Sequence, residues 1–266
     1  MELIEILGYV GALFVGLVLG LIGGGGSILT VPILVYLIGL NPIIATAYSL
    51  FVVGVTSIFG AFQNYKKGFV DIKTAIIFAI PAFIVVYLTR RFIVPIIPDV
   101  VFTVGDFEVT NNIFIMVFFA IVMLLASYSM IKGRKTVDHI EEQEIKYNYP
   151  LIAIEGTVIG VFAGIVGAGG GFLIIPTLVL LAKLPMRKAI GTSLFVIAVN
   201  SLFGFMGDLS NINIDWFFLL VFTGISIIGI ILGMYLSKFI SGHKLKKGFG
   251  YFTLIMGIYI IYKELY

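Results

Sequence analysis

Five consecutive small residues, Gly23-Gly24-Gly25-Gly26-Ser27, and a second cluster, Gly167-Ala168-Gly169-Gly170-Gly171, interrupt apolar runs that are otherwise long enough to enter a bilayer. Glycine lets the backbone leave the helix and lets another group come close to its N–H donors. A helix that starts directly after such a break presents free amides and the positive end of its dipole. In hydrocarbon those donors cannot stay bare, so an unwound turn at membrane depth must be buried in protein or line a wet cavity. Interruptions at matching places in two halves of a chain point to a transporter binding site. The chemistry on offer is recognition of a small anion by amide and hydroxyl donors, without a full positive charge. The candidates are Gly25, Gly26 and Ser27 from the first cluster and Gly169, Gly170 and Gly171 from the second. Helix packing uses spaced small residues; Gly16, Gly20, Gly160 and Gly164 fit that simpler role.

A second set of donors lies just downstream of each cluster. Ser49 and Ser193 correspond, as do Ser57 and Ser201, while Thr56 corresponds to Asn200 and Tyr48 to Thr192. Polar residues within a span face the bundle interior. Ser49, Ser193 and Asn200 are the candidates for substrate contact, against the alternative of interhelical hydrogen bonding. Glu155 is the acid inside an apolar segment; it is expected near the cytoplasmic interface, solvated or paired with Lys146, with proton coupling as the alternative. Gln63, Asn64 and Asp208 sit at segment ends, where capping or vestibule roles are expected. Enzyme readings fail on inventory. Both histidines, His139 and His243, fall between apolar segments, and there is no H-E-x-x-H motif and no Lys-Ser/Thr ending to make the glycine run a P-loop. The absence of cysteine removes disulfides and thiolate metal sites. No cofactor, metal or nucleic-acid partner is implied.

The elements that must position these residues are membrane spans. Of 266 residues 60% are hydrophobic and 12% charged, about half the charge of a soluble domain, and the mean hydropathy is +1.15. Ten apolar segments fall near 5–22, 27–40, 43–62, 72–94, 112–131, 150–166, 171–183, 187–207, 214–238 and 246–264. Most approach the roughly 20 residues a helix needs to span. The second and seventh are shorter and directly follow the glycine clusters, which predicts half-helices or re-entrant arms. The N-terminus lacks a basic n-region, so the first segment is expected to be retained. The expected fold is an all-α polytopic protein of the cell membrane (inner or plasma), divided into an N-terminal membrane repeat 1–131, a cytoplasmic linker 132–149 and a C-terminal membrane repeat 150–266.

Residues 16–60 align with 160–204 without a gap, at a constant offset of 144 (Gly160 against Gly16). The matches run through Gly20/Gly164, Gly26/Gly170 and Pro32/Pro176 to Ser49-Leu50-Phe51-Val52 against Ser193-Leu194-Phe195-Val196. Apolar bias alone would not align glycines, prolines and serines in register. Each half holds about five segments, an odd number, so the repeats are expected to be inverted in the membrane. The basic residues agree. Lys66, Lys67 and Lys73 follow the third segment, Lys132, Arg134, Lys135 and Lys146 the fifth, Lys183, Arg187 and Lys188 the seventh, and Lys238, Lys244, Lys246 and Lys247 the ninth. If every segment reverses direction, these loops share one side, which the positive-inside rule makes cytoplasmic. Fusing each broken segment with its successor would split them between both faces. Arg90 and Arg91 are the exception on the outer side, offset in part by Asp99, Asp106 and Glu108, and residues 95–111 are expected to form an outer loop.

The duplicated G-x-x-x-G-x-x-G-x-G-G pattern, with its following proline and A-x-(A/G)-x-S-L-F-V block, resembles the TauE/SafE family, also called the toluene sulfonate uptake permease family. The resemblance covers nearly the whole chain; Gly24 stands against Ala168 and Ser27 against Gly171 as small departures. It implies a permease or exporter of small sulfur-containing anions such as sulfite or organosulfonates. Together with the paired broken helices, the reading is a secondary carrier in the lipid bilayer that works by alternating access, with a proton or other ion as the expected coupling partner. A passive anion channel and a non-transporting membrane scaffold or assembly factor are the alternatives.

Overall fold

A computed structural model describes residues 3–104, 107–132, 149–180, 182, 184–239 and 242–265. Most of the expected linker lies outside them, as do Asp106, Lys146 and Lys183. Among the described residues the chain forms ten helices: α1 (Leu3–Ile22), α2 (Thr30–Pro32), α3 (Pro42–Lys66), α4 (Ile72–Leu88), α5 (Asn111–Lys132), α6 (Tyr149–Val166), α7 (Gly171–Leu180), α8 (Met186–Asp208), α9 (Trp216–Leu236) and α10 (Gly242–Leu265). The short α2 is extended by a 3-10 turn, Gly24–Leu29, before it and a wide π turn, Ile33–Leu37, after it. A second π turn, Thr89–Ile93, prolongs α4. Five of these helices, α3, α4 with its extension, α5, α8 and α9, are long and apolar enough to cross a membrane. Exposed Ile, Leu and Phe side chains along them, such as Phe62, Ile80, Leu125 and Phe217, suit a lipid surround. The 95–111 stretch is not all loop: β1 (Val100–Val104) pairs antiparallel with β2 (Phe107–Thr110).

Each glycine cluster turns the chain back on itself. Gly8 and Gly11 of α1 face Ile38 and Ile33, in descending order, so the arm through α2 runs antiparallel beside α1. In the second half Gly170 stands against Ile159 and Ala163 of α6. The chain therefore enters α3 and α8 after a helical hairpin, not after one continuous span.

Helix pairing exchanges the halves. A Cβ on Gly16 would lie 1.9 Å from Ser226 O on α9, and one on Gly160 would lie 2.8 Å from Ala82 O on α4. Ser226 and Ala82 are themselves 144 apart. One turn on, Gly20 meets Gly233 and Gly164 meets Thr89, at the same offset again. The α1/α9 and α4/α6 pairs run parallel, with glycines admitting direct backbone contact. In contrast, α3 crosses α8 antiparallel, since Gly54 meets Leu202 while Gly60 meets Leu194. The α5/α10 pair is antiparallel too, with Gly250 against Met130 and Gly257 against Leu124. Even the polar ties repeat. The amide of Asp215 donates to Tyr48 Oη (2.6 Å) and the amide of Asp71 to Thr192 Oγ1 (2.9 Å). Both aspartates cap the helices that follow them, α9 and α4, by accepting from the amides of Phe218 and Thr74.

Gly16→Ala is expected to destabilise the protein by about 1–3 kcal/mol, the usual cost of overpacking, because the obstacle is backbone. Gly224→Ala on α9, where nothing lies within 4 Å, is expected to leave stability unchanged or raised. Thermal unfolding of the two variants in detergent checks the pair; equal melting temperatures would remove the backbone contact.

Candidate functional site

The two interruptions meet. A Cβ on Gly24 would lie 2.4 Å from Gly171 O, and one on Gly171 would lie 2.6 Å from Gly24 Cα, so the breaks touch backbone to backbone. Gly23, Gly167, Gly169 and Gly170 have φ of 77°, 71°, 63° and 71°, the left-handed region in which a Cβ is strained. The sequence candidates divide around this contact. Gly25, Gly26 and Ser27 belong to the 3-10 turn Gly24–Leu29. Gly26 is pressed against the backbone of Leu19, and Ser27 Oγ donates to Gly24 O at 2.8 Å, which commits its proton locally. Gly170 is pressed against α6, and its carbonyl accepts from the amides of Leu173 (2.9 Å) and Ile174 (3.1 Å). Gly169 and Gly171 look the other way, toward Ser201 Oγ and Ile197 of α8. With Leu173 and Ile174 bonded to Gly170 O, the amides of Gly171 and Phe172 are the ones left without an acceptor inside α7, which starts at this junction.

Beside the junction run two polar stripes. On α3, Ser49, Thr56 and Ser57 surround Val53, which faces Gly169; on α8, Ser193, Asn200 and Ser201 surround Ile197 in the equivalent positions. All six polar side chains are buried. Ser193 Oγ donates to Ile190 O at 2.8 Å. Ser49, Thr56, Ser57, Ser201 and both amide atoms of Asn200 have no partner among the described residues. A polar group buried without a hydrogen bond costs on the order of 1–3 kcal/mol. Several together, in one place, need a reason to be there. Ser57, Thr56 and Ser201 join Ser49 and Asn200 in this set; their register in the repeat was the signal that could have placed them there.

Two expectations are corrected at the end of α8. Arg90 is not an outer loop charge. It lies in the π turn after α4, fully buried, with Nη1 donating to Thr46 Oγ1 at 3.1 Å and standing 3.4 Å from Asp208 Oδ2. Asp208 is likewise buried and is the counter-ion of Arg90, rather than a cap or a vestibule residue, so Asp99 and Glu108 are not what balances Arg90. The physical reason is that α4 and α8 pack together here: Gly207 sits against Arg90 Cβ and lets the side chain turn inward. Glu155 is half-buried on α6, and its Oε2 has no partner among the described residues; its expected partner Lys146 lies outside them.

Comparison with known proteins agrees with a membrane transporter. The profile of the family described as "Sulfite exporter TauE/SafE" matches residues 9–260. A "Probable membrane transporter protein" of Xylella fastidiosa is 29% identical over 254 residues, 94% of this chain and 92% of the relative. The "Probable membrane transporter protein YunE" of Bacillus subtilis is 28% identical over 226 residues, covering 78% and 79%. A relative of the same description in Methanocaldococcus jannaschii is 33% identical over 117 residues, 42% and 44%. No solved structure gives a significant match. With apolar spanning helices, hairpins turned at paired glycine clusters and a family match across almost its whole length, the chain is a multi-pass membrane protein and belongs to the TauE/SafE family of membrane transporters.

Proposed function

We propose that this protein is a secondary carrier of small oxyanions, with sulfite, named in the family description, and organosulfonates, implied by the sequence resemblance, as its substrates. The observation that carries the proposal is the junction of Gly24 and Gly171, flanked by five buried hydroxyl- or amide-bearing side chains with no partner among the described residues. Such groups, with the amides of Gly171 and Phe172 that open α7, can take the place of an anion's hydration shell. Gly169, Gly171, Ser49, Ser57, Asn200 and Ser201 are the assigned contacts. Gly25, Gly26, Ser27, Gly170 and Ser193 shape the turns behind them.

The proposed mechanism is alternating access between inverted repeats. If the halves were related by an axis along the bilayer normal, α3 and α8 would run parallel. Their antiparallel crossing, and that of α5 with α10, favours an axis in the membrane plane. Gly24 and Gly171 leave no room between them for even a methyl group, so an anion passes when the hairpins part on one side and then the other. The basic residues at the ends of α3, α5 and α9 support placing those ends in the cytoplasm.

Asn200→Leu removes the buried amide while nearly keeping its volume. Replacing an unpartnered polar group in this way is neutral or stabilising for the fold. Sulfite flux into proteoliposomes is expected to fall by about 10- to 100-fold, the equivalent of one hydrogen bond to a charged group, with an unchanged melting temperature. Flux at the wild-type rate would remove Asn200 from the pathway. Saturable flux with counterflow is expected; unitary currents would replace the carrier with a channel.

Because the chain has no cysteine, single substitutions report sidedness. Lys67→Cys is expected to react with an impermeant thiol reagent only from the cytoplasmic side and Phe102→Cys only from outside. Labelling of both from one side would overturn the orientation.

A further inference from the structure

Arg90 is a buried cation with two of its three nitrogens idle among the described residues. Nη1 is engaged by Thr46 Oγ1 at 3.1 Å and lies 3.4 Å from Asp208 Oδ2, while Nε and Nη2 have no partner among the described residues. The Nε–Nη2 edge is the fork of a guanidinium that matches two oxygens borne by one atom. Its Nη2 end lies against the second glycine break: a Cβ on Gly167 would lie 2.5 Å from Nη2. Gly167, with φ 71°, is where α6 ends and the chain turns toward the junction. Arg90 itself sits in a single π turn, a rare geometry that recurs at functional sites.

The other end of the molecule supplies an internal comparison. The offset of 144 pairs Arg90 with Met234, Thr46 with Ile190 and Asp208 with Asn64. Gly23, the counterpart of Gly167, indeed faces Ile190. The helices pack alike at both ends, so the scaffold does not require an arginine. Breaking a buried pair or leaving it half-satisfied is costly, and an apolar replacement is often as stable or more so. The charge therefore calls for a role beyond packing.

We infer that Arg90 is an anion-binding residue: a small oxyanion with two oxygens on one atom, of the sulfite, sulfonate or carboxylate class, docks on its Nε–Nη2 edge beside Gly167. Thr46 and Asp208 hold Nη1 so that the edge stays turned toward the break, and Asp208 is the counter-ion of the empty site. This gives the pathway a charged station at one end only, the end where α4 and α8 finish, with Met234 and Ile190 at the other. The inference rests on the anion-carrier reading and assigns it a residue outside the central junction.

Three variants of the full chain, purified in detergent, test the assignment by titration with sodium sulfite, sodium ethanesulfonate and sodium acetate, read as thermal stabilisation. Arg90→Met with Asp208→Asn installs the residues of the opposite end and removes both charges together. It is expected to melt like the wild type and to bind at least tenfold more weakly whichever of the three anions the wild type prefers. Arg90→Lys keeps the charge without the fork and is expected to bind that anion several-fold more weakly. Asp208→Asn leaves Arg90 without its counter-ion, so the same anion is expected to stabilise this variant more than it does the wild type, a sign that a purely structural pair does not give. Wild-type affinity in the double variant, or less stabilisation of Asp208→Asn than of the wild type, overturns the assignment. If the double variant does not fold, Arg90→Lys and Asp208→Asn decide by the same criteria. Wild-type protein that responds to none of the three anions overturns the carrier reading and this inference together, whereas a responding wild type with an indifferent double variant overturns this inference alone.

Discussion

A bilayer core offers the backbone no water, and that constraint governs this molecule. The chain breaks its helices at two glycine clusters, and the peptide groups freed there must be enclosed by protein. The solution is to bring the breaks together: Gly24 lies against Gly171 with no side chain between them. Only glycine permits this, because any Cβ at either position would overlap the facing backbone. The left-handed φ of Gly23 and of three residues in the second cluster follows from the same need to turn sharply in little space. The hairpins, the register of α3 on α8 and the position of both polar stripes are set by where this contact falls.

Around that contact the molecule is close to two-fold in packing and unequal in chemistry. Helix contacts, N-caps and even the hydroxyl ties of Tyr48 and Thr192 recur at one offset. The side chains at matched positions do not. Ser49 has no partner among the described residues whereas Ser193 bonds back to its own helix; Thr56 is matched by Asn200, and Arg90 by Met234. Shape repeats because glycine-mediated packing tolerates few alternatives, while polarity can diverge wherever a side chain points into the interior.

Much of this architecture was legible in the chain itself. Consecutive glycines after an apolar run announced a turn at depth, and the ungapped register of the two halves anticipated that packing would be repeated. The ladder Gly16, Gly20, Gly160 and Gly164 read as helix contact, and each of these residues meets another backbone or a close-packed threonine. Two features were hidden for different reasons. The hairpin β1–β2 carried alternating apolar residues around Gly105-Asp106, a recognisable turn signal, but flanking prolines and acids made the stretch read as a loop. Arg90 lay beside Arg91 and Pro95 at a segment end, where cations mark a surface. Its burial depends on Gly207 and Asp208, which are remote in sequence and approach only through tertiary packing. The departure from register, arginine where the other half has methionine, was the trace it left.

The exchange of helices between halves has a consequence for how the protein is made. α1 finds its partner in α9, and α6 is the partner of α4, so neither half contains the surfaces that complete it. A ribosome delivers α1 to the membrane long before α9 exists, and its glycine face must wait there against lipid or an insertion factor. Contacts this distant in the chain form late and slowly. Assembly is therefore gated by the final third of the polypeptide, and a product truncated before α9 is a set of inserted helices lacking the partner that α1 needs.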